Sequence, residues 1–205
     1  MVDTVTQAKW DKIAPTFDVM AGKGAEDRWE PFKRALFANM KPDANILFLA
    51  LGTGLDIRFF PTGRNIKAID ISPVMLEVAQ PRIDGYDGTI EASVMDVHDL
   101  DFEPDSFDQV FTSCTFCSVP DPIVGLRKLK TVLKPDGDLY MFEHTGSVYY
   151  PFKIMMNLMT LWSSRVGPDM NRPTVDNVRA AGFRLEEVNH VFLDVVKTIH
   201  AKPIA

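Results

Sequence analysis

ILFLALGTGLD, residues 46–56, decides the fold. An apolar run of strand length opens into the turn Gly52–Thr53–Gly54, and a turn of this kind lets backbone come close to an anionic or nucleotide-like ligand. Two positions are unusual for such a site. Phe48 stands where a carboxylate is expected, and Ala50 where a further glycine is expected.

Outward from this stretch the chain alternates. NIKAIDIS, TIEASVMDV, FDQVFTSC and GDLYMFEH are further strand-like runs, each bounded by Gly, Pro or Asp. Between them lie helix-length pieces: SPVMLEVAQ, with Ser72 as a cap and Pro73 in the first turn, and DPIVGLRKLKTVL. Ahead of the first strand, AEDRWEPFKRALFANM repeats Trp29, Phe32, Ala35, Leu36 and Met40 at helical spacing, and Pro42 is expected to end it. This βαβ order predicts an α/β fold, a mainly parallel sheet with helices on both faces. FRLEEVNHVF and VVKTIHAKP are too close for a crossover helix, so they predict an antiparallel C-terminal hairpin at one edge and bring the count to seven strands.

A chain of 205 residues, 46% of them apolar and 24% charged, is the right size for one domain with a full core. The net charge of -6 is spread along the chain and lacks the basic face that nucleic acid requires. No apolar stretch approaches a signal peptide or a membrane span, so a cytoplasmic protein is expected. Cys114 and Cys117 form a lone CxxC at the end of an apolar strand. That is at most half a zinc site, so no metal is expected and the two thiols read as buried or site-lining.

In open α/β sheets the ligand sits outside the carboxyl ends of the strands. The residues there are Gly52 to Gly54, Asp70 and Ile71, Asp96 and Val97, Cys114 to Val119, and Glu143 with His144. Asp70 ends the second strand, where an acid commonly takes ribose hydroxyls, and Asp96 ends the third, where it can accept from an exocyclic amine. A nicotinamide fingerprint fails, because its third glycine would fall at Ile57.

The ordered set GTG, AIDISPVML, MDVHDLDF, FDQVFTSCTFCSVPDP and LKPDGDLYMFEH resembles the class I S-adenosylmethionine-dependent methyltransferases over nearly the whole chain. With the opening WDKIAPTFD it is similar to a branch that holds ubiquinone/menaquinone C-methyltransferases, phospholipid N-methyltransferases and methyltransferase-like thiol methyltransferases. The resemblance implies a Rossmann-like, seven-stranded fold and S-adenosylmethionine as cofactor. It implies a cofactor site made of Phe17, Gly52, Thr53, Gly54, Asp70, Ile71, Met75, Asp96, Val97 and Ser113. Relatives mostly carry an acid at the Phe48 position, glycine at Ala50 and tyrosine at Phe17, so an altered or weaker set of cofactor contacts is expected.

The chain is expected to form one domain over residues 1–205, with an N-terminal helical cover of about residues 1–40 and an apolar insertion of about residues 145–172. That insertion, rich in Met, Tyr, Phe and Trp, reads either as packing or as a lid for a greasy acceptor that touches membrane. His144 is the first candidate to help an acceptor lose its proton, with Tyr149, Tyr150 and Asp18 behind it. His98, His190 and His200 are set aside as loop and edge-strand residues. The expected activity is methyl transfer to a small-molecule or lipid acceptor, a phospholipid amine first, then a small thiol or a quinone precursor. A cofactor-binding protein without transferase activity is the alternative of a different class.

Overall fold

A computed structural model of the chain describes residues 3–21, 23–163, 169 and 171–204. Two helices come first, α1 (Thr4–Ala21) and α2 (Lys23–Phe37). Then follow β1 (Ile46–Leu49), a 3-10 turn (Leu55–Phe59), β2 (Asn65–Asp70), α3 (Pro73–Asp84) and β3 (Thr89–Val94). The second half contains β4 (Phe107–Ser113), α4 (Pro122–Val132), β5 (Leu133–His144), α5 (Phe152–Ser163), α6 (Thr174–Ala180), β6 (Phe183–Phe192) and β7 (Val196–Pro203).

The described strands form one seven-stranded sheet in the order β3-β2-β1-β4-β5-β7-β6. The first five are parallel, and β7 runs antiparallel to both β5 and β6. The expected hairpin is present, but its second strand inserts beside β5 and leaves β6 as the edge.

All four residues of β1 are buried. Because successive side chains alternate across a strand, Leu47 and Leu49 join the core that contains Leu126 and Leu129 of α4. Ile46 and Phe48 join the opposite core, with Leu36 and Phe37 of α2. Strand order reverses between β1 and β4, which opens a crevice at the carboxyl ends of both strands.

Local signals set the helix starts. Ser72 Oγ accepts the N–H of Met75 at 3.0 Å, and the Asp121 side chain accepts that of Val124 at 3.1 Å. Elsewhere the structure departs from expectation. α2 ends at Phe37, ahead of Pro42, where the Asn39 side chain takes the carbonyls of Ala35 and Leu36. β2 stops at Asp70 and β3 at Val94, so Asp96 and Val97 lie in the turn after β3. Seven-residue α6 had no periodic signal long enough to read.

Candidate active site

The crevice between β1 and β4 holds a cavity of about 370 Å³. Its floor is the turn after β1. Ala50, Gly52 and Gly54 all have positive φ, at 57°, 59° and 79°. The two glycines do different work. A Cβ on Gly52 would meet nothing within 4 Å, so backbone there is open to the cavity. One on Gly54 would come 3.0 Å from Ile57 and 3.3 Å from Ala79, so that glycine lets the 3-10 turn and α3 pack closely.

Asp70 ties the turn to β2. Its two oxygens accept the N–H groups of Gly52 at 2.8 Å and Ser72 at 2.9 Å. Burial pushes its carboxyl up, opposed by those N–H groups. Asp96 lies farther along the wall. It accepts the backbone and ring nitrogens of His98 at 2.9 and 2.8 Å, and the N–H of Asp3 at 2.9 Å. Burial alone would raise its carboxyl, but these bonds outweigh it and hold the group below the usual range.

The roof is α1 and α2, through Thr6, Trp10, Phe17, Trp29 and Lys33. Five polar contacts strap α1 across the strand ends. Besides Asp3 on Asp96, Gln7 donates to the carbonyl of Ile71 at 2.9 Å, and Ser72 donates to Asp11 at 2.5 Å. At the far end Asp18 accepts from Thr53 Oγ1 and from Arg82, both at 2.6 Å.

Of the cofactor residues expected from sequence, Phe17, Gly52, Thr53, Asp70, Ile71, Met75, Asp96, Val97 and Ser113 all line this cavity; Gly54 stands behind it. The acid–base candidates are placed otherwise. Asp18 is occupied in the strap, and neither it, His144 nor Tyr149 lines the cavity. His144 is partly buried, with Nδ1 unpartnered among the described residues. Burial, then the Lys197 ammonium, lowers its imidazole. Tyr149 and Tyr150 are exposed. The insertion that was to act as a lid lends the cavity no described lining residue; residues 164–168 and 170 of it lie outside the described ones.

Three lining groups escaped the sequence reading. His98, set aside as a loop residue, is held at the cavity between Asp96 and the carbonyl of Asp121, 3.0 Å from Nε2. Lys33 and Asp56 also face it, joined at 2.5 Å. The i+2 spacing from Asp96 is the one signal that could have flagged His98; nothing local flags the other two. His200, set aside as an edge residue, lies on the internal strand β7, stacked on Tyr140 and 2.8 Å from Asp138.

Cys114 lines this cavity, and burial pushes its thiol up to about 12. Burial raises Cys117 as well, and its Sγ lies 3.3 Å from the carbonyl of Cys114. No group of residues suited to a metal occurs among the described residues.

Residues 47–141 match a family described as a methyltransferase domain. The ubiquinone/menaquinone biosynthesis C-methyltransferase UbiE of Geotalea daltonii is 31% identical over 158 residues, 72% of this chain and 66% of the relative. The human thiol S-methyltransferase TMT1B is 28% identical over 139 residues, 62% of this chain and 56% of the relative. The chain thus spans about two thirds of the first relative's length and less of the second's. Among solved structures, the [4+2]-cyclase SpnF superposes with a TM-score of 0.75 at 16% identity, covering 98% of this chain and 96% of that one, a likeness of fold alone.

Proposed function

Because the chain belongs to the class I S-adenosylmethionine-dependent methyltransferases, we propose that it transfers a methyl group to an apolar or amphipathic acceptor taken from a lipid surface. The cofactor is a sulfonium that carries its own leaving group, so the protein's share of the work is positioning and exclusion of water. The wall fits that ligand: open backbone at Gly52, one buried acid at Asp70 and another at Asp96, and aromatic cover from Trp10 and Phe17.

One observation carries the choice of acceptor. Phe152, Ile154, Met155, Leu158 and Met159 of α5 are all exposed, with Val148, Tyr149 and Tyr150 just ahead of them. So much clustered apolar surface is unusual on a protein that stays in water. Beyond the helix, Asp169 donates its N–H to the carbonyl of Cys117 at 2.8 Å, in the loop that walls the site. No described helix is long and apolar enough to cross a membrane, so contact would be at the interface.

A phospholipid amine and a demethylated quinone both suit such an entry, the second supported by the printed function of one relative. A small soluble thiol is the second reading, supported by the other. The test is formation of S-adenosylhomocysteine with phosphatidylethanolamine vesicles, demethylmenaquinone in neutral vesicles, or an alkyl thiol. Turnover of a vesicle-borne acceptor is expected. Changing Phe152 and Leu158 to Ser should raise its KM at least fivefold with cofactor affinity intact. Turnover of the thiol alone, with no vesicle binding, would overturn the lipid reading.

A further inference from the structure

Phe48 packs its ring into the core on the α2 side and does not line the cavity, so this position near the end of β1 gives the site no charged group. The amino-acid end of the cofactor carries an ammonium and a carboxylate on one carbon. Both need partners once water is excluded.

The cavity supplies one of each. Lys33 comes from α2 and Asp56 from the 3-10 turn, two residues beyond Gly54, and their side chains are only 12% and 13% exposed. Among the described lining residues Lys33 is the one lysine or arginine, hence the one strong cation available to a carboxylate. Asp56 follows the turn after β1, which places the pair at the β1/β4 end of the cavity, whereas Asp96 and His98 lie beyond β3. Lys33 Nζ is also 5.4 Å from the ring of Phe142. An ion pair sequestered in this way adds little to stability, because desolvation offsets most of the attraction. Facing a ligand, it is worth more.

We infer that Lys33 and Asp56 bind the amino-acid end of the cofactor, Lys33 taking the carboxylate and Asp56 the ammonium. The inference rests on the methyltransferase reading and adds a binding role for two residues outside the family's glycine turn. Asp56 and Lys33 then open toward the ligand and regain their hydrogen bonds from it.

Two ligands separate the possibilities in calorimetry. S-adenosylhomocysteine has the amino-acid end, and 5′-methylthioadenosine lacks it. Lys33→Met is expected to weaken S-adenosylhomocysteine at least tenfold and to change 5′-methylthioadenosine less than twofold, with Lys33→Arg recovering most of the loss. Because Lys33→Met strands the Asp56 charge, the double change Lys33→Met with Asp56→Leu is run beside it and should show the same selective loss. Unchanged S-adenosylhomocysteine affinity would overturn the inference and point the pair toward the acceptor. An equal loss for both ligands would overturn it in favour of a purely structural pair. Failure of the unaltered protein to bind either ligand would instead refute the cofactor reading beneath it.

Discussion

The rings of Phe48 and Phe60 lie 4.9 Å apart with their planes inclined at 49°, and Phe37 approaches Phe48 to 5.8 Å. Phe48 is 1% exposed and stands between Ala68 of β2 and Phe111 of β4 in the sheet. This position of β1 is thus the centre of an aromatic cluster.

Phe48→Glu should therefore bury an unpaired charge. The expected cost is at least about 3 kcal/mol, a fall in melting temperature of roughly 6–12 °C for a domain of this size. Cofactor affinity should not rise. A melt with and without S-adenosylmethionine checks both, and a variant as stable as the parent that binds more tightly would contradict this account.

Ala50 strains the turn that follows β1. Its φ of 57° is one that glycine adopts freely and alanine adopts at a cost of about 1–2 kcal/mol. Ala50→Gly relieves the strain but gives up part of a buried methyl and adds freedom to the unfolded chain. A net gain of about 0.5 kcal/mol is expected, seen as a melting temperature higher by roughly 1–2 °C. A lower one would show that the methyl matters more than the strain.

Glu143 makes stability depend on pH. It is fully buried near the end of β5, where Oε1 accepts from Thr112 at 3.3 Å, Thr115 N–H at 3.1 Å and Phe116 N–H at 3.3 Å. Its Oε2 has no partner among the described residues. Burial raises the carboxyl from 4.5 to about 7, against the pull of the N–H groups of Thr115 and Phe116. The folded state thus holds a proton that the unfolded chain releases near 4.5, so stability falls as pH rises from there to about 7 and then levels off. The full span is on the order of 3 kcal/mol. Glu143→Gln removes the titration, so its melting temperature should gain steadily on the parent between pH 5 and pH 8. Parallel profiles across that range would sink the assignment.

What the chain settled locally was the frame. Strand-length apolar runs ending in Gly52, Asp70, Asp96 and Ser113 reveal a parallel sheet and its ligand edge, because periodicity and strand ends are properties of neighbouring residues. Oddities of local sequence, Phe48 and Ala50, were visible for the same reason. The rest depended on distant segments meeting. Asp3 reaches Asp96 across 93 positions and Asp18 reaches Arg82 across 64, so α1 as a strap, and the occupation of Asp18 in it, could be decided only by packing. Lys33 and Asp56 are likewise 23 residues apart, on elements joined by no pattern. The greasy insertion shows the same limit: composition marked it as apolar, yet whether its described side chains face the cavity or the outside is a matter of helix orientation, which is fixed by what the neighbouring elements leave uncovered.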